Sequence, residues 1–121
     1  MAKQILVVDD KPYLRDVEVL ILKAAGYAAT ALETATDALA RLADIRPDLI
    51  LLDLSMPGMS GREFIERLRA DGEWQGLPVI LSTGLLEEDA AAAVEPGVEL
   101  LPKPFSDTAL LNRVRLLIGP A

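Results

Sequence analysis

The stretch "LILLDLSMPGMSG", Leu49 to Gly61, runs four apolar residues straight into Asp53 and then into a turn built from Pro57, Gly58 and Gly61. An ion at the end of a buried strand is costly unless it is paired or used. "QILVVDD", Gln4 to Asp10, repeats the pattern with two acids instead of one. Both runs read as buried strands whose carboxyl ends carry charge.

Outward from these stretches the chain alternates. Ile5–Val8 predicts a first strand and Pro12–Ala25 a first helix, with Asp10 placed to cap it and Gly26 to end it. Tyr27–Leu32 predicts a more polar second strand, and Thr36–Ile45 a helix that stops before Pro47. Leu49–Leu52 is the third strand, and Gly61–Ala70 the third helix, with Phe64, Ile65 and Leu68 on one side. Val79–Ser82, Glu87–Val94, Val98–Leu101 and Ser106–Ile118 complete the series as strand, helix, strand and helix. Such alternation indicates an α/β fold, a parallel sheet covered on both faces, and the continuous apolar character of strands one, three and four suits central positions. The reading is one domain over residues 1–121.

Composition narrows the chemistry. Lys and Arg number 12 against 19 Asp and Glu, a net charge of −7, which disfavours direct binding to nucleic acid or to an anionic membrane. No apolar run approaches bilayer length, and the N-terminus does not read as a signal peptide. There is no cysteine, in keeping with a cytoplasmic location. There is also no histidine, which excludes a Ser-His-Asp triad and any His-ligated metal. Chemistry here runs on carboxylates, hydroxyls and amines.

Ligands of open parallel sheets sit at the carboxyl ends of the strands. Asp9, Asp10 and Asp53 therefore converge on one edge, where mutual repulsion drives each toward protonation. A hard divalent cation, Mg²⁺ or Mn²⁺, relieves that cost with oxygen ligands alone. A carboxylate beside such an ion is a competent nucleophile for phosphorus. Strand four ends in "ILSTG", offering the Thr83 hydroxyl, and strand five in "LLPKPF", offering the Lys103 ammonium between two prolines. Both are the donors that a transferred phosphoryl group needs. Singly, Asp10 is a helix cap, Asp53 a turn residue, Thr83 a strand end and Lys103 a solvated charge. Four such coincidences at four strand ends make the joint reading the better one.

"ILVVDD", "PDLILLDLSMPGMSG", "LPVILSTG" and "LPKPF", in this order, resemble the receiver domain of two-component response regulators over essentially the whole chain. The resemblance implies a flavodoxin-like (βα)5 doubly wound sheet of strand order 2-1-3-4-5. It implies Asp53 as phosphoacceptor and Mg²⁺ bound by Asp10, Asp53 and the backbone carbonyl of Ser55, with Asp9 acting largely through water. Thr83 and Lys103 would bind the phosphoryl group, and the Lys103–Pro104 bond would be cis. Without histidine of its own, the chain takes its phosphoryl group from a histidine kinase, a histidine phosphotransfer protein or a small acyl phosphate. The donor would dock on the first helix, where Arg15, Val19 and Leu22 share a face, and on the loop after strand five.

Three departures from the family pattern stand out, the last at a pair of positions. Leu100 stands three residues before Lys103, where the family usually has an aromatic switch. Gly84 follows Thr83 and loosens the backbone there. Ser55 and Leu85 occupy the pair that tunes dephosphorylation; Leu85 cannot position water, so the phosphoryl group should be long-lived. The expected function is a phosphorylation-dependent switch acting through the face of the fourth helix, fifth strand and fifth helix, not a turnover enzyme. It is read as a stand-alone receiver, or one excised from a longer chain, with no output domain. The alternatives are a degenerate receiver that only binds partners, and a phosphatase of the haloacid dehalogenase type. The latter wants a second acid two residues after the nucleophile, where Ser55 stands.

Overall fold

A computed structural model describes residues 2–53, 58–83 and 97–121. Five strands form one parallel sheet, β1 (Gln4–Val8), β2 (Ala28–Leu32), β3 (Leu49–Asp53), β4 (Val79–Thr83) and β5 (Val98–Pro102), in the order β2-β1-β3-β4-β5. The helices are α1 (Pro12–Ala24), α2 (Ala35–Ala40), α3 (Leu42–Ile45), α4 (Gly61–Ala70) and α5 (Asp107–Ile118). The helix expected over Glu87–Val94 lies outside the described residues, as do Ser55, Gly84 and Leu85.

Successive side chains of a strand point to opposite faces, and here each face has its own core. Leu6, Val8, Ile50, Leu52, Val79 and Leu81 pack with Ala38, Phe64 and Leu68 of α2 and α4. Ile5, Val7, Leu49, Leu51 and Ile80 pack with Leu22, Leu110 and Val114 of α1 and α5. Double coverage is why β1, β3 and β4 read as unbroken apolar runs, whereas every residue of the edge strand β2 is only half-buried.

Local signals set the helix ends. Thr34, Ser60 and Ser106 cap α2, α4 and α5 by accepting from the amides of Asp37, Glu63 and Ala109. Gly26 follows α1 with φ of 99°, a conformation in which glycine carries no steric penalty. The expected single second helix is two short ones, because Arg41 leaves the helical region at φ −110° and ψ 10°. Asp10 does not cap α1. The cap position is Lys11, without a side-chain cap bond, and the Asp10 carboxylate is engaged by the Lys11 ammonium instead.

The proposed docking face on α1 is also corrected. Leu22 is fully buried in the core, Val19 packs against it, and Arg15 is turned inward. Because Leu22 is 0% and Leu20 69% exposed, Leu22→Ala is expected to cost about 2–5 kcal/mol of unfolding free energy. Leu20→Ala should cost under about 0.5 kcal/mol. Urea unfolding of the two variants checks this, and equal losses would contradict the assigned helix face.

Candidate functional site

The strands all run the same way, so their carboxyl ends share one rim. β1 hands over to Asp9 and Asp10, β3 ends on Asp53, β4 on Thr83, and β5 leads into Lys103. Register brings these ends level. Asp53 pairs with Ser82, Thr83 pairs with Pro102, and the Lys103 amide donates to the Thr83 carbonyl at 2.7 Å. The Lys103–Pro104 peptide is cis.

Asp53 is buried, its side chain only 1% exposed, and it is held by two cations. The Lys103 Nζ donates to Oδ1 at 2.7 Å, and the Lys11 Nζ donates to Oδ2 at 3.1 Å. Lys11 also reaches Oδ1 of Asp10 at 3.2 Å. Burial lowers the Lys11 pKa, but the hydrogen bonds to Asp53 and Asp10 outweigh it, and the net direction is up. Asp9 is buried behind this pair. Its Oδ1 accepts from the Lys11 amide at 2.9 Å, its carbonyl accepts from Arg15 Nη1 at 2.8 Å, and its Oδ2 has no hydrogen-bond partner. Arg15 thus braces the turn between β1 and α1 and reaches Glu33 at 3.8 Å, instead of facing a partner.

Asp9, Asp10 and Asp53 each present one carboxylate oxygen, and the three lie within 4.8 Å of one another. Oxygen-only donors at this spacing suit a hard divalent ion, and the buried, unpartnered Oδ2 of Asp9 is the kind of group such an ion would satisfy. The aspartates therefore fit Mg²⁺. Ser55, the further ligand implied by the resemblance, lies outside the described residues.

Two residues of the site were not singled out in the sequence. Lys11 is one; the signal for it was its place directly after Asp9 and Asp10, at the mouth of a helix. Glu18 on α1 is the other, buried, with its Oε1 lacking a hydrogen-bond partner. Burial, and next its approach to Asp9, push its carboxyl up to about 8, with Lys103 pulling the opposite way. Beside the site, Leu14, Val17 and Ile21 of α1 face Pro104 and Phe105 across a mostly apolar cleft of about 440 Å³. This face of α1 lies about one residue's rotation from the Arg15, Val19 and Leu22 face. Leu100, on β5 opposite Leu81, is half-buried against the α4-side core.

The chain belongs to the response regulator receiver domain family, whose model matches residues 5–115. It is 36% identical over 117 residues to the DNA-binding response regulator MtrA of Mycolicibacterium smegmatis, covering 95% of this chain and 50% of that protein. The chain spans about half the length of the curated relatives it matches. Among solved structures it is similar to the chemotaxis protein CheY4 of Vibrio cholerae, with TM-score 0.86 and 26% identity, covering 98% of this chain and 100% of that one. It is also similar to the receiver domain of a sensor histidine kinase from Pseudomonas aeruginosa, with TM-score 0.87 and 27% identity, covering 98% and 99% of the two chains. That structure holds a magnesium ion coordinated in its active-site cleft. The flavodoxin-like order 2-1-3-4-5 and the membership in two-component signalling are thereby established. Among the described residues, no helix is long and apolar enough to cross a membrane.

If the aspartate cluster takes Mg²⁺, the ion stabilises the folded chain by mass action. At a hundredfold excess over Kd the gain is expected to be about 2.7 kcal/mol, read as a rise in Tm at constant ionic strength. Asp10→Ala, which removes an exposed ligand, should shrink the rise. A Tm indifferent to Mg²⁺ in the unaltered chain would refute the site.

Proposed function

We propose that this receiver domain accepts a phosphoryl group on Asp53 from the phosphohistidine of a kinase or phosphotransfer protein. The observation that carries the reading is the Asp53 carboxylate, buried at the sheet edge, flanked by Asp9 and Asp10 and bonded at 2.7 Å to Lys103. One Asp53 oxygen attacks phosphorus, the bond from phosphorus to the donor imidazole nitrogen breaks, and that nitrogen keeps the electron pair. Lys103 holds the carboxylate beforehand and afterwards pairs with the new charge. Thr83, at the adjacent strand end, supplies a hydroxyl to the phosphoryl oxygens. Asp10 and Asp53, with Asp9 acting largely through water, would hold Mg²⁺, which would neutralise charge on the acids and on the transferred group.

The donor docks along α1 and the loop after β5. The cleft there supports this, with Leu14, Val17 and Ile21 replacing the trio expected from the sequence. A helix of the donor would lay an apolar face into it and bring its phosphohistidine over the rim. Phosphorylation adds charge and acceptors at the carboxyl ends of β3 and β4. The output is a changed preference for partners at the face that includes β5 and α5. With a net charge of −7 the chain itself is a poor ligand for nucleic acid. The MtrA relative, a DNA-binding response regulator, is about twice as long.

Incubation with acetyl phosphate and Mg²⁺ tests the acceptor. A stoichiometric, hydroxylamine-labile phosphoryl mark is expected, absent in Asp53→Asn. An unmarked chain would favour a degenerate, binding-only receiver, and multiple turnover on small phosphate esters would favour a phosphatase. The lifetime of the mark tests Leu85: Leu85→Glu is expected to shorten the half-life of the phosphorylated chain severalfold, and an unchanged half-life would contradict the slow dephosphorylation attributed to Leu85.

A further inference from the structure

Lys11 is a second cation at the acidic rim, and its position differs in kind from that of Lys103. Its ammonium bridges two separate carboxylates, Asp10 Oδ1 at 3.2 Å and Asp53 Oδ2 at 3.1 Å. Both acids belong to the trio whose oxygens lie within 4.8 Å of one another. The third member, Asp9, accepts from the Lys11 backbone amide, so one residue touches all three acids. Oxygens that coordinate Mg²⁺ stand about 2.0–2.1 Å from it. An ammonium hydrogen-bonded to two of those oxygens would then lie close to a doubly charged ion and would compete for the same lone pairs. Both the repulsion and the lost lone pairs oppose joint occupancy.

Lys11 can leave. Its side chain is 46% exposed, against 23% for Lys103, and it precedes the first turn of α1, outside the helix. Lys103 bonds only Asp53 of the three acids and stands between Pro102 and Pro104. We infer that Lys11 is an internal counter-cation that competes with Mg²⁺ for the Asp10 and Asp53 carboxylates and sets the metal affinity of the site. It is a positioning residue, acting on the acids and not on phosphorus. The inference rests on the metal reading given above and adds to it the residue that tunes it: metal entry requires the Lys11 ammonium to swing toward solvent.

Isothermal titration with Mg²⁺ at constant ionic strength, on the unaltered chain, Lys11→Met and Lys23→Met, tests it. Methionine keeps the length of the side chain without its charge, and Lys23, exposed in the last turn of α1, controls for net charge alone. Lys11→Met is expected to bind Mg²⁺ about tenfold more tightly. Lys23→Met should stay within about twofold of the unaltered chain, since its charge is screened. Circular dichroism shows whether each variant is folded, and Mn²⁺ titration followed by electron paramagnetic resonance provides an independent reading. Equal affinity of the unaltered chain and Lys11→Met overturns the inference while leaving the metal site standing. Weaker binding by Lys11→Met overturns it too, by showing that Lys11 arranges the ligands instead of competing with the ion. A matching gain in Lys23→Met reduces the effect to net charge and likewise overturns it. Absence of binding in every chain removes the metal reading and this inference together.

Discussion

Everything at the rim follows from the cost of gathering ionised carboxylates at the edge of a sheet that is dry on both faces. Asp9 and Asp53 are almost wholly buried and Asp10 stands beside them, so like charges crowd one another where water scarcely reaches. The fold answers with three devices. Lys103 pairs with one Asp53 oxygen, Lys11 with the other, and the turn after β1 donates a backbone amide to Asp9. Removing one partner from such a group leaves a buried charge uncompensated, so the loss of either bond would cost more than its presence contributes. A carboxylate held in this way is what the proposed attack on phosphorus requires.

The sheet makes this arrangement possible because it needs nothing from the rim. Its stability comes from the two apolar clusters, in which Leu6, Ile50 and Leu81 face one helix layer and Ile5, Leu51 and Ile80 face the other. With burial complete along β3, β4 and residues Ile5–Val8 of β1, the strand ends can carry polar groups without weakening the centre. Parallel strands then bring residues far apart in sequence to one line. The 50-residue separation between Asp53 and Lys103 closes to a 2.7 Å hydrogen bond.

What the sequence made legible were features whose readings agreed with one another along the chain. Apolar runs ending in acids mark doubly covered strands, and the four strand-end groups Asp9, Asp53, Thr83 and Lys103 follow from the strands. The face of α1 was not legible. Val17, Val19, Leu20, Ile21 and Leu22 form a nearly continuous apolar stretch, whose periodicity does not choose a side. Packing chooses it, with Leu22 meeting the core and Leu14, Val17 and Ile21 lining the cleft. Asp10 likewise had two good uses, as helix cap or as rim acid, and the backbone turn at Lys11 decided for the rim. Lys11 itself reads as an ordinary solvated lysine until the β1–α1 turn is drawn, because only that turn folds its ammonium back over Asp53.

The two lysines divide the electrostatic task according to how each is held. Lys103 follows β5 with a backbone amide bonded to Thr83, so its ammonium is delivered to Asp53 by the sheet itself. A cation fixed in that way suits a lasting partner, which in the proposed transfer would serve the carboxylate first and the phosphoryl group afterwards. Lys11 enters from a turn, with nearly half of its side chain in solvent, and its bonds to Asp10 and Asp53 are longer. Salt and water loosen such a contact more readily than the buried one. One cation therefore holds Asp53 while the other can be exchanged, and exchange is what a site needs if the same acids are to be stable alone and receptive to a metal.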